Sequence, residues 1–247
     1  SLGCTVSDLS LDSYLREIHW LLMTGGETPG SPVDEARVRE RLGPGRWYVY
    51  RRMLRSRMRD VTRAGLPRLC ALGGDAIDGW VERWVEAEGP RSRFFRDVPG
   101  ELVRWGVENA LFESVGPWAN DLARLEDALF EVPEIHDPRA SIPAIDLAMD
   151  RSARLAAAHR VLRLSWSVHH IARESESDDG DVIAPDVTKV ERTDVSVCVY
   201  RGGDDDLAKV IELSPLAAKL VVRMSRGDVL AKIDDLATGT REGEIGR

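Results

Sequence analysis

Signatures of catalysis are missing from this 247-residue chain. It holds no GxSxG, HExxH, GxGxxG or CxxC and no phosphate-binding GxxxxGK followed by Ser or Thr. The usual nucleophile-elbow, zincin, dinucleotide, redox and P-loop chemistries therefore have no foothold in the sequence. Cysteine is scarce: Cys4, Cys70 and Cys198 stand far apart, which excludes a disulfide framework and a thiolate zinc site. Cys70 and Cys198 lie in apolar contexts and read as core residues, and a reducing cytoplasm is the expected compartment. No apolar run approaches the ~20 residues of a membrane span, and no charged and apolar leader opens the chain, so no secretory signal is expected. Lysine is nearly absent, 4 residues against 30 arginines, a bias that fits a GC-rich genome. The net charge is −8, and residues 1–135 and 136–247 carry −4 each. Neither half has the basic footprint expected of a nucleic-acid-binding domain.

What is present is organised in two parts. Residues 1–135 read as helices: about 12–23, 32–42, an arginine-rich helix from Arg46, one from Asp75 with Ile77, Trp80, Val81, Trp84 and Val85 at helical spacing, Val98–Ala110 and Trp118–Phe130. Trp47, Trp80, Trp84 and Trp105 are expected as packing anchors. Prolines at 133, 138 and 143 mark a linker over 136–143. Residues 144–247 then form a smaller mixed domain. Strands are predicted at 144–149, Arg160–Trp166, Val195–Tyr200 and Leu207–Leu213, with an acidic loop over 174–186. The last two strands, separated by a Gly/Asp turn, give the clearest hairpin signal. Ser214-Pro215 then opens a helix to Met224, with Ser as N-cap and Pro at N1, and a final helix follows at 229–237. The fold class is α+β, and the C-terminal domain, a β-hairpin with two terminal helices, is winged-helix-like.

The arginine-rich helix is the most distinctive segment. Eight arginines and one acid, Asp60, lie between Arg46 and Arg68. At 100° per residue Tyr50, Leu54, Met58 and Val61 share an apolar stripe, while Arg51, Arg52, Arg55, Arg59 and Arg63 face away from it. Repeated guanidinium forks suit phosphate, carboxylate or a partner's acidic surface. Arg51, Arg55, Arg59 and Arg91 are thus the candidate partner- or phosphate-binding residues. Arg57 falls about 20° from Tyr50 on the wheel, so it is expected buried and paired, with Asp121 or Glu126 as partner. The five histidines offer one adjacent pair, His169-His170. Neighbours on an α-helix point about 100° apart, so they chelate one metal poorly, and no metal is expected in this chain.

Several segments, in order along most of the chain, resemble one bacterial family. They are Tyr50-Arg51 with Arg55, Asp60 and Leu66-Pro67; Leu72-Gly73-Gly74-Asp75-Ala76-Ile77; Gly89-Pro90-Arg91-Ser92 with Phe94 and Asp97; Pro117 to Glu126; Ser152-Ala153-Arg154-Leu155; and Trp166 to Ile171. Together they resemble the HvfC/BufC-type proteins, long described as carrying a DNA-binding N-terminal domain. These are partner subunits of multinuclear non-haem iron-dependent oxidases, TIM-barrel enzymes that modify ribosomally made peptides. The resemblance implies a non-catalytic accessory subunit with a helical N-terminal domain that docks the oxidase. Its mixed C-terminal domain would help recognise the leader of a precursor peptide. Iron and redox chemistry would reside in the oxidase, with no cofactor in this chain. Arg52-Met53, Gly65-Leu66, Ser167 and the acidic loop depart from the family pattern, so substrate and chemistry are not carried over. An extended leader could join the sheet as an added strand. The expected edge is the hairpin, through Val195, Val197, Val199, Leu207 and Val210. The alternative is a DNA-binding regulator using the arginine helix of residues 46–68.

Overall fold

A computed structural model describes residues 46–136, 155–171, 185–202 and 207–226. The expected helices at 12–23, 32–42 and 229–237 and the strand at 144–149 lie outside them. The fold is α+β, with six helices and a three-stranded antiparallel sheet among the described residues. The elements are α1 (Arg46–Gly65), α2 (Pro67–Gly73), α3 (Ala76–Ala87), α4 (Val98–Glu108), α5 (Ala119–Glu131), β1 (His159–Trp166), β2 (Arg192–Arg201), β3 (Ala208–Leu213) and α6 (Pro215–Arg226), with short 3-10 turns at Phe95–Asp97, Val132–Glu134 and Val168–His170. No described helix is long and apolar enough to cross a membrane.

The chain divides into two compact units. Among the described residues, one comprises 46–64 and 73–111 and the other 65–72 and everything from Phe112 onward. This division does not coincide with the expected boundary at 135–136. Helices α2 and α5, read from sequence as part of the helical half, belong with the sheet.

In the helical unit, the apolar positions of α3 fall at i, i+3, i+4, i+7 and i+8, and all five, Ile77, Trp80, Val81, Trp84 and Val85, are buried. Met58 of α1 and Val98, Leu102 and Val103 of α4 are buried as well. Trp80 and Trp84 are the anchors expected of them, each 1% exposed, whereas Trp105 is half-buried. Gly73 is required by contact: a Cβ there would stand 2.4 Å from Cη2 of Trp80. Gly74 follows at φ +54, a conformation open to glycine at little cost.

The arginine helix is rotated from the expected orientation. Met58, Thr62 and the terminal Gly65 are buried on it, while Tyr50 and Met53 are each 61% exposed. Arg57 is exposed rather than buried. The reason lies on α3, where Asp78 and Glu82 sit one turn apart and match Arg55 and Arg59, also one turn apart. Glu82 bridges Arg55 and, at 2.6 Å, Arg59. Asp78 lies 3.5 Å from Arg59 Nε and 3.0 Å from Arg63. These ion pairs turn toward α3 a face that hydropathy alone assigns to solvent.

In the second unit α5 lies against all three strands. Its apolar side, including Leu122 and Leu125, is buried, as are Leu164, Val197 and Val199 of the sheet. Two carboxylates of α5, the expected partners of Arg57, are buried too, and each accepts backbone N–H groups of its own unit. Asp121 accepts the backbone N–H groups of Ser165 at 2.6 Å and Trp166 at 3.1 Å. It thereby closes the irregularity where the β1–β2 register shifts between Leu164 and Trp166. Glu126 accepts the N–H groups of Arg68 at 2.8 Å and Leu69 at 2.9 Å. These are orphan donors in the first turn of α2. Pro67 supplies no donor at that end, so Glu126 serves as a cap from a distant helix. The Arg68 side chain, itself buried, lies with Nε 3.8 Å from Glu126 and donates to the Ile171 carbonyl at 3.2 Å.

Candidate functional site

The hairpin is as expected, β2 antiparallel to β3, but its position in the sheet differs from the expectation. The order is β1-β2-β3, so β2 is the central strand. Main-chain directions follow from two hydrogen bonds at the ladder ends. Arg201 N donates to Ala158 O, and Gly202 N donates to Leu207 O. In an antiparallel ladder the bonded pairs recur at every second residue. The registers Val199 with Arg160, Val197 with Leu162 and Val195 with Leu164 therefore commit the polar backbone of all three valines to β1. Val195, Val197 and Val199 are not edge residues. They are the middle of the sheet, and Val197 and Val199 are fully buried.

The same alternation settles β3. Lys209, Ile211 and Leu213 turn their N–H and C=O groups to β2, whereas Ala208, Val210 and Glu212 turn theirs away. No described strand lies beyond them. Of the expected edge residues, Val210 alone lies in β3 with its backbone outward, 36% exposed; Leu207, 51% exposed, precedes the strand and its carbonyl accepts from Gly202, and Ile211 and Leu216 are also exposed nearby. The opposite edge, on β1, is partly occupied: the outward carbonyl of Arg163 accepts from Arg124 of α5 at 3.1 Å. Beside β3 lies an open cleft of about 340 Å³, lined by Arg163, Ser196, Glu212, Pro215 and Lys219 among others, with Val195 at its wall. Helix α6 borders it. Its start is fixed as the sequence indicates, with Ser214 Oγ accepting the Ala217 N–H at 3.2 Å.

The candidate arginines belong to the helical unit. Arg55 and Arg59 face α3 carboxylates as described, and burial, then the nearby Arg51 charge, holds the Arg55 guanidinium below its ordinary pKa. Arg51 is half-buried on the same helix. Arg91 is exposed and pairs with Glu88 at 2.6 Å, while its N–H donates to Glu101 at 2.6 Å.

A second cluster was not foreseen. His169 and His170 lie in the 3-10 turn after β1, not in an α-helix, and their rings converge to a centroid distance of 4.0 Å. Glu212 of β3 reaches them: its Oε2 is 3.1 Å from His169 Nε2. Burial, and then the imidazole of His170, holds His169 below the usual histidine pKa, while Glu212 acts in the opposite direction. Glu212 is 43 residues away in sequence, so no local spacing could have announced the group. Cys198, buried on β2, has its thiol pKa raised by that burial.

No protein-family profile matches the sequence, and no curated protein matches it.

Proposed function

We propose that this chain is a non-catalytic accessory subunit of a peptide-modifying, multinuclear non-haem iron-dependent oxidase. In this reading the leader of a ribosomally made precursor peptide adds to β3 as a fourth strand. The observation that carries it is the outward-facing backbone of Ala208, Val210 and Glu212 on an edge strand with exposed apolar side chains. Main-chain bonds would supply affinity, and side-chain pockets such as the cleft beside α6 would select the register. The hairpin and the helix after it act as a winged-helix-like reader, and the helical unit docks the TIM-barrel oxidase. The resemblance of the ordered motifs to HvfC/BufC-type proteins supports the same assignment. Iron and its chemistry belong to the oxidase. The two described cysteines are buried, and a cytoplasmic setting is part of this reading. A phosphate-binding role for α1 is less well supported, because Arg55, Arg59 and Arg63 already face carboxylates of the same unit.

Co-expression with the oxidase and short peptide encoded in its gene neighbourhood tests the proposal. A stable complex that keeps the peptide through size exclusion is the expected outcome. Absence of a complex, with salt-sensitive retention of DNA instead, would replace it with the regulator reading.

A further inference from the structure

The convergence of His169, His170 and Glu212 has the chemistry of a metal site. Each residue offers one donor atom, and the three donors lie within 4.8 Å of one another. His169 Nε2 and Glu212 Oε2 are 3.1 Å apart. Two donors sharing one tetrahedral ion at ~2.0–2.1 Å stand about 3.3 Å apart, so this spacing already matches a coordination edge. His170 and Glu212 are exposed, and their side chains can draw in by the remaining ångström or so. His169 is held in place, with only 8% of its side chain exposed.

We propose that these three side chains bind a divalent first-row transition ion of the zinc class. Two imidazoles and one carboxylate form a borderline donor set that prefers such ions to magnesium or calcium, whose ligands are oxygens. Three protein ligands leave a fourth position for water or an incoming group. The ion would fasten the edge strand β3, through Glu212, to the turn that follows β1. The inference does not require the peptide reading: the ion would take the carboxylate of Glu212, whereas strand addition uses the outward backbone of β3, and zinc binding is measured without peptide.

The test is a zinc titration of the full chain after chelator treatment and dialysis, followed by competition with a chromophoric chelator and by cobalt absorption. The expected result is one zinc ion per chain and a tetrahedral cobalt spectrum. His169→Ala, His170→Ala and Glu212→Ala should each weaken binding at least tenfold. The His170 and Glu212 variants alter exposed side chains, so they carry the test if His169→Ala does not fold. Absence of stoichiometric zinc binding would overturn the proposal. So would binding that the His170→Ala and Glu212→Ala chains retain at full strength, since the ion would then be held elsewhere.

Discussion

Replacing Glu126 by alanine should destabilise the sheet-containing unit by about 3–5 kcal/mol, the cost expected when one member of a buried charge pair is removed. Glu126 is 2% exposed. Its two oxygens accept the Arg68 and Leu69 N–H groups, and the Arg68 guanidinium lies beside it. Alanine leaves two buried donors without an acceptor and a buried cation without its counter-charge. For a chain of this size the unfolding midpoint should fall by roughly 10 °C, taking about 2–4 °C per kcal/mol. Glu126→Gln should fall between the two, since it keeps one acceptor oxygen but presents an amide to the second N–H. Urea or thermal unfolding followed by circular dichroism measures both. A loss below about 0.5 kcal/mol for the alanine variant, the scale of an ordinary surface change, would mean that α2 does not depend on this cap.

The second large effect concerns binding. Val210→Pro should lower retention of the precursor peptide at least tenfold while the sheet survives. Val210 turns its N–H away from β2, so proline there removes no ladder bond, and its ring obstructs a strand arriving from outside. Val197→Pro would be the wrong experiment. That residue is fully buried on the central strand and its backbone is committed to β1, so proline would break the sheet itself. The comparison uses co-purified peptide quantified by mass, with circular dichroism as the check on folding. Full retention by Val210→Pro would remove β3 from the account.

The contrast between these two valines marks how far sequence can carry the reading. The alternation of Val195, Val197 and Val199 with Ser196, Cys198 and Tyr200 reveals a strand, and the Gly/Asp turn reveals the hairpin. Nothing local states which side of the hairpin receives β1. That partner arrives from about 35 residues upstream, across the acidic stretch, and it turns the expected edge into the centre. The same holds for α1. Hydropathy placed Tyr50 inward and the arginines outward, because a helical wheel has no knowledge of a neighbouring helix that carries Asp78 and Glu82. The matched i, i+4 spacing of Arg55 with Arg59 and Asp78 with Glu82 was a usable signal, and it outweighs the apolar stripe. The buried tryptophans of α3 and the Ser214 cap were legible because their causes are local. Glu126 capping α2, Asp121 closing the β1 irregularity and Glu212 meeting the histidines were not, because each joins residues at least 43 positions apart.

Amide exchange across β3, with and without the precursor peptide, tests the central claim most directly. Strand addition predicts that the peptide slows exchange at Ala208, Val210 and Glu212, the three N–H groups that face outward. Lys209, Ile211 and Leu213 should change little, being bonded to β2 already. Peptide bound in the complex with no slowing at those three amides would contradict the account and place the leader on another surface.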